Sequence, residues 1–181
     1  MLYTPLKVAG AYEISVERFE DNRGFFARVF NHPEALAHGF GPQIVQVNNS
    51  FNKEKGTLRG LHYQVPPHQE SKIVRALQGA LWDVVVDLRK ESPTFGQWDS
   101  VTLTAEERNM VLVPAGCAHG ILTLRDDTEM LYFVSEDYHP ESERCLRWND
   151  PKFGIEWPAD PVVLSDKDRR SLFFDPDYHL W

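Results

Sequence analysis

Between residues 73 and 138 the chain is a series of short apolar runs broken by turn-forming residues, with no segment long enough to serve as a crossover helix. IVRALQGALWDVVVDLR (73–89) has two such runs on either side of Gly79 and reads as strand, turn, strand. VTLTAEERNMVLVPAG (101–116) gives a strand, a polar stretch and a second strand, and GILTLRDDTEMLYFVSEDY (120–138) reads as a hairpin turning at Asp126-Asp127. The prolines at 66, 67, 114, 140 and 151 fall between the runs, where a missing N–H costs no ladder bond. Many short strands joined by turns predict an all-β sandwich or barrel. Two short peripheral helices are expected: 31–40, opened by Asn31 and closed by Gly39, and 164–174, with Ser165 as N-cap and Asp168 placed as in a capping box.

A chain of 181 residues without a Ser/Gly-rich linker, low-complexity run or repeat predicts one domain spanning 1–181. Its net charge of −8 argues against non-specific nucleic-acid binding, but leaves room for a small cationic pocket. Cys117 and Cys145 have no CxxC partner and read as the reduced thiols of a cytoplasmic protein. The start, MLYTPLKVAGAYEI, lacks the charged and then apolar pattern of a signal peptide. The most apolar run, ALWDVVVDL, is interrupted by Asp83 and Asp87, so no membrane span is expected.

The stretch LRGLHYQVPPHQESK (58–72) carries the first candidates for chemistry. Strand alternation sets Gly60, His62 and Gln64 on one face and Arg59, Leu61 and Tyr63 on the other, so a bulge is needed if Arg59 and His62 are to share a pocket. Each candidate also has an ordinary reading. His62 alone is a satisfied core histidine, Lys72 a solvated strand end, Tyr132 a half-buried aromatic and Asp168 a helix cap. His119 follows a Pro-x-Gly turn. Taken together they supply a base, an acid, an orienting carboxylate and a cation. That set suits removal of a proton beside a carbonyl, with positive charge where an enolate forms and an acid on the opposite face.

Pro114-Ala115-Gly116-Cys117-Ala118-His119 also matches the second half-motif of the cupin superfamily. In its metal-binding members the first half-motif has His-x-His and then Glu; here the positions read His62-Tyr63-Gln64 and Glu70. Glutamine is a poor transition-metal ligand beside imidazole. A site built from His62, His68, Glu70 and His119 therefore stays open but disfavoured.

The motifs DNRGFF (21–26), QVNNS (46–50), GTLRGLHYQ (56–64), DVVVDLRKESPTFGQW (83–98), VPAGCAHG (113–120), LYFVSEDYHP (131–140), RWNDPKFGIEWP (147–158) and LSDKD (164–168) together closely resemble the dTDP-4-dehydrorhamnose 3,5-epimerase family, from about Asp21 to Asp168. The resemblance implies a cupin-type jelly roll that inverts C3 and/or C5 of a 4-keto-6-deoxyhexose nucleotide without a metal or other cofactor. It implies His62 as base, Asp168 as its partner, Tyr132 as acid and Lys72 beside the C4 oxygen. It sets Arg59 by the diphosphate and His119 in the pocket wall, with Arg23, Gln46, Asn48 and Tyr138 holding the nucleotide sugar. It further implies a cytoplasmic homodimer formed by strand exchange, whose N-terminal part lends pocket residues to its neighbour. Ala27-Arg28 stands where dTDP-using members commonly have a glutamate, Phe133 where a lysine often follows the tyrosine, and Cys117 where phenylalanine is usual. These departures leave open the base of the nucleotide and the choice between C3, C5 and both. Two other readings are a metal-dependent cupin enzyme and a non-catalytic sugar-binding module.

Overall fold

A computed structural model describes residues 1–181. The strands are β1 (Leu2–Pro5), β2 (Tyr12–Ser15), β3 (Arg18–Asp21), β4 (Gly24–Ala27), β5 (Gln46–Asn52), β6 (Thr57–Gln64), β7 (Lys72–Gln78), β8 (Ala80–Asp87), β9 (Trp98–Thr104), β10 (Met110–Val113), β11 (Cys117–Thr123), β12 (Thr128–Val134), β13 (Glu143–Cys145) and β14 (Val163–Leu164). The short helices are α1 (His32–Ala37), α2 (Asp166–Arg170) and α3 (Pro176–His179). One sheet runs β1-β2-β10-β7-β12-β5 and the other β13-β6-β11-β8-β9, with β14 added in parallel to the start of β6. Two face-packed sheets of this kind bear out the all-β sandwich that the turn-punctuated apolar runs predict, in the cupin-like form that the family resemblance implies.

The core explains why β8 is apolar throughout rather than alternating. Leu81 and Val85 point between the sheets, against Val74, Ala76, Val111 and Met130 of the first sheet. Val84 and Val86 point the other way, under an outer layer that includes Leu61, Tyr63, Leu146, Phe153 and the partly buried Trp82, Trp98 and Trp157. A strand covered on both faces needs apolar residues at odd and even positions alike.

The expected hairpin at Asp126-Asp127 is not one. The chain does reverse there, with Asp127 at φ 51°, but β11 lies in the second sheet and β12 in the first. β11 pairs with β6 and β8, and β12 with β5 and β7. Local turn chemistry fixes where a strand ends; the sheet it then joins is decided by burial of its apolar face. Gly79 makes the same crossing between β7 and β8. At φ 72°, a Cβ there would lie 2.5 Å from Thr128 Oγ1, so only glycine fits.

Both expected helices form, each shorter than its signal. In α1 the Asn31 side chain accepts from Glu34 N–H, and Gly39 at φ 91° ends the segment. In α2 Ser165 Oγ accepts from Asp168 N–H, after which the chain leaves as extended backbone at Ser171. β3 and β4 pair only with each other, and this ribbon exposes Phe19, Phe25 and Phe26. No helix is long and apolar enough to cross a membrane.

Candidate active site

Gly60 on β6 and Gly120 on β11 meet where the two strands touch. A Cβ on Gly60, at φ 133°, would lie 2.6 Å from Gly120 Cα and 2.9 Å from the His119 carbonyl oxygen. The pairing changes step at this contact: His62 faces His119, but Arg59 faces Ile121, so three residues on β6 span two on β11. This is the bulge that simple alternation required, and it turns Arg59 and His62 onto one wall.

That wall closes a cavity between the sheets. A chamber of about 400 Å³ is lined by Gln46, Asn48, His62, Lys72, Tyr132 and Tyr138, among others. It adjoins a smaller one of about 170 Å³ that adds Arg59, His119, Ser50 and Met130 and shares His62, Lys72 and Tyr132.

His62 Nε2 lies 2.6 Å from Asp168 Oδ1, a contact between residues 106 apart in sequence. The imidazole is 31% exposed toward the cavity and the carboxylate 4%. Burial pushes the Asp168 carboxyl up, but hydrogen bonding and charge from His62, with help from Ser165 and Cys145, outweigh it and hold the group below its usual value. Asp168 thus stays an anion suited to orienting an imidazole and to stabilising imidazolium. Its helix-cap role and its contact with His62 coexist: the backbone N–H goes to Ser165 and the carboxylate to His62.

A second pair stands next to the first. His119 Nε2 lies 2.8 Å from Asp83 Oδ2. Asp83 is fully buried and its Oδ1 has no partner. Burial drives this carboxyl above its usual value, against the opposing pull of His119 and Lys72.

The remaining candidates are held by short local contacts. Lys72 Nζ pairs with Glu70 at 2.9 Å, and Arg59 Nε donates to Asn52 Oδ1 at 2.7 Å. Gln46 donates to Asp137, and the Tyr138 hydroxyl donates to Glu143, which also pairs with Lys167. Arg23 is the exception: its side chain is 84% exposed at the turn of the β3–β4 ribbon, pairs with Asp21, and lines neither chamber. The cavity thus offers one imidazole with an ionised partner, a phenol and an ammonium on shared walls, the set needed for enolisation and reprotonation.

The alternative metal set of His62, His68, Glu70 and His119 is dispersed over separate partners: His119 pairs with Asp83, Glu70 with Lys72, and the His68 ring stacks on His139, apart from His62 beside Asp168. Gln64 is committed to backbone groups: Nε2 donates to the carbonyls of His68 and Asp137, and Oε1 accepts from His139 N–H. It ties two rim segments together rather than facing an ion.

Sequence reasoning missed Asp83, Asn52, Cys145 and Glu143. Asp83 carries a readable signal, an acid inside an otherwise apolar strand. The others are ordinary polar residues whose importance comes from long-range pairing.

Residues 5–175 match the family model described as dTDP-4-dehydrorhamnose 3,5-epimerase. A Pseudomonas aeruginosa protein of that name is 46% identical over 160 residues, covering 86% of each chain. The crystal structure of the dTDP-4-dehydrorhamnose 3,5-epimerase from Elizabethkingia anophelis superposes with a TM-score of 0.93 at 34% identity, covering 98% of both chains. The Bacillus anthracis enzyme with TDP and PPi bound superposes at 0.90 and 39% identity, covering 96% of this chain and 99% of that one.

Proposed function

The chain belongs to the dTDP-4-dehydrorhamnose 3,5-epimerase family and is an isomerase, and from that premise we propose how its residues divide the work. The substrate is a nucleotide-linked 4-keto-6-deoxyhexose, foremost dTDP-4-dehydro-6-deoxy-D-glucose, converted to dTDP-4-dehydro-L-rhamnose. Asp168 holds the proton of neutral His62 on Nε2, which leaves the Nδ1 lone pair for the substrate. Nδ1 removes the hydrogen at C5 or C3, both adjacent to the C4 ketone. The electron pair moves into the C4 oxygen, and the Lys72 ammonium stabilises the enolate. Tyr132 gives its phenolic proton to the opposite face of the carbon, completing inversion. Arg59 and His119 hold the diphosphate end, and Gln46, Asn48 and Tyr138 position the nucleotide sugar.

Residues 1–181 act as one catalytic unit within a cytoplasmic homodimer. Arg23 reaches substrate from the partner's β3–β4 ribbon, whose exposed phenylalanines pack on the neighbour. Sedimentation of wild type and of Phe26→Asp tests the dimer; a monomeric wild type overturns it.

One observation carries the catalytic reading: the 2.6 Å His62–Asp168 contact, in a cavity that shares Tyr132 and Lys72. Proton NMR in D₂O tests it on dTDP-, CDP-, GDP- and UDP-linked 4-ketohexoses. Deuterium is expected at C3, C5 or both, and Tyr132→Phe should keep exchange while losing inversion. No deuterium incorporation with any of the four overturns the reading. The same panel identifies the preferred base, which bears on Arg28.

A further inference from the structure

We propose that His62, Cys145 and Asp168 form an inhibitory binding site for a thiophilic divalent cation, with Zn²⁺ the best fit; the inhibition, though not the binding, rests on His62 being the base. Cys145 on β13 is the register partner of His62 on β6, so their side chains leave adjacent strands on the same side. Asp168 arrives from α2. Nε2, Sγ and a carboxylate oxygen all lie within 4.8 Å of one another, with Sγ 3.7 Å and Nε2 2.6 Å from Asp168 Oδ1.

A tetrahedral zinc with normal bond lengths spaces its nitrogen, oxygen and sulfur ligands roughly 3.3–3.5 Å apart. The sulfur–oxygen distance already suits this, and the imidazole and carboxylate need to open by about 0.7 Å. His62 and Asp168 both line a groove of about 310 Å³ beside α2, which provides the entry path to Nε2 and the carboxylate. Thiolate and imidazole together favour zinc or cadmium over magnesium and manganese.

The proton balance explains the inhibition. The thiol loses its proton to solvent as sulfur binds. The Nε2 proton of His62 is displaced to Nδ1 as the metal takes Nε2. The net result is one proton released and a histidine whose cavity-facing nitrogen no longer has a free lone pair. The rim cluster of His68, Glu136 and His139 is the competing site. Its two imidazoles are stacked 3.5 Å apart at 12°, so their lone pairs lie in parallel planes and do not converge on one ion.

The test uses full-length, tag-free enzyme. Cobalt titration should give thiolate-to-cobalt charge-transfer absorption in wild type that is lost in Cys145→Ser. Zn²⁺ should inhibit deuterium exchange reversibly to EDTA, and Mg²⁺ should not. The half-inhibiting zinc concentration should rise at least about tenfold in Cys145→Ser, relative to that variant's own metal-free rate, and stay at the wild-type value in His139→Gln. No charge-transfer band in wild type, a band that survives Cys145→Ser, or loss of inhibition in His139→Gln overturns the proposal. Cobalt bound through the thiolate with undiminished exchange overturns the inhibition through its premise, that His62 is the base. Exchange by metal-free His62→Ala tests that premise by itself: wild-type exchange in that variant overturns it.

Discussion

His62 and His119 face each other across β6 and β11, and each has an aspartate on Nε2. Asp168 sits at a helix start, receives further hydrogen bonds and is held below its usual pKa. Asp83 lies mid-strand in β8 of the second sheet with one oxygen unpartnered, and burial holds it above. Identical residue types less than a strand apart are thus pushed in opposite directions. What separates them is the balance between burial, which is deeper for Asp83, and donors, which are more numerous at Asp168. The first carboxylate is favoured as an anion and the second is not.

Substitutions can break or sharpen this contrast. The largest effect is expected from His62→Ala, which should lower the deuterium-exchange rate by about 10²–10⁴-fold, the span that general acid–base catalysis supplies. His119→Ala should cost less than a tenth of that; equal losses would erase the distinction between the pairs. Asp168→Asn comes next, on the order of 10²-fold in kcat with little change in KM, because an amide no longer stabilises imidazolium. Asp83→Asn should keep most of the rate, since its oxygen still accepts from His119.

Stability against urea should separate the aspartates at neutral pH. Asp168→Asn is expected to lose about 1–3 kcal/mol, the worth of a hydrogen bond to a charged group, and Asp83→Asn to change by less than about 1 kcal/mol. The pH profiles give the finest test. Asp168 has a lowered folded pKa, so its contribution is present above its unfolded value of about 3.9 and is lost as pH falls through the folded one. Asp83 has a raised folded pKa, so its penalty is absent in acid and grows as pH rises from about 3.9 through the folded value. Asp168→Asn should therefore flatten the loss of stability below about pH 4, and Asp83→Asn should gain on wild type as pH rises above it. The reverse pattern would mean that donors, and not burial, govern Asp83.

Strand runs, the Asn31 and Ser165 caps and the turn at Gly79 are readable from sequence because each is written in neighbouring residues, whereas the change of sheet at Gly79 is not. The need for a bulge between Arg59 and His62 was readable too, since alternation alone could not place both in one pocket. The false hairpin at Asp126-Asp127 shows the limit of local signals. The His62–Asp168 contact spans 106 residues, and without the family resemblance nothing in the spacing would have paired them. The role of Asp83 stayed hidden because an acid in an apolar strand declares itself unusual without naming its partner.

The glycine crossing at 60 and 120 bears on how such an enzyme can change its diet. Only three peptide units separate Arg59 from His62, and they are pressed against a neighbouring backbone. Adding or deleting one unit there would swing the guanidinium or the imidazole toward the tryptophan layer outside. On the proposed reading, new sugars and new nucleobases are more readily accommodated on the far side, at Gln46, Asn48 and Tyr138, where exchanging a side chain leaves the strand register unchanged. Lineages diverging in substrate should differ there first, while the tetrapeptide from Arg59 to His62 stays fixed in length.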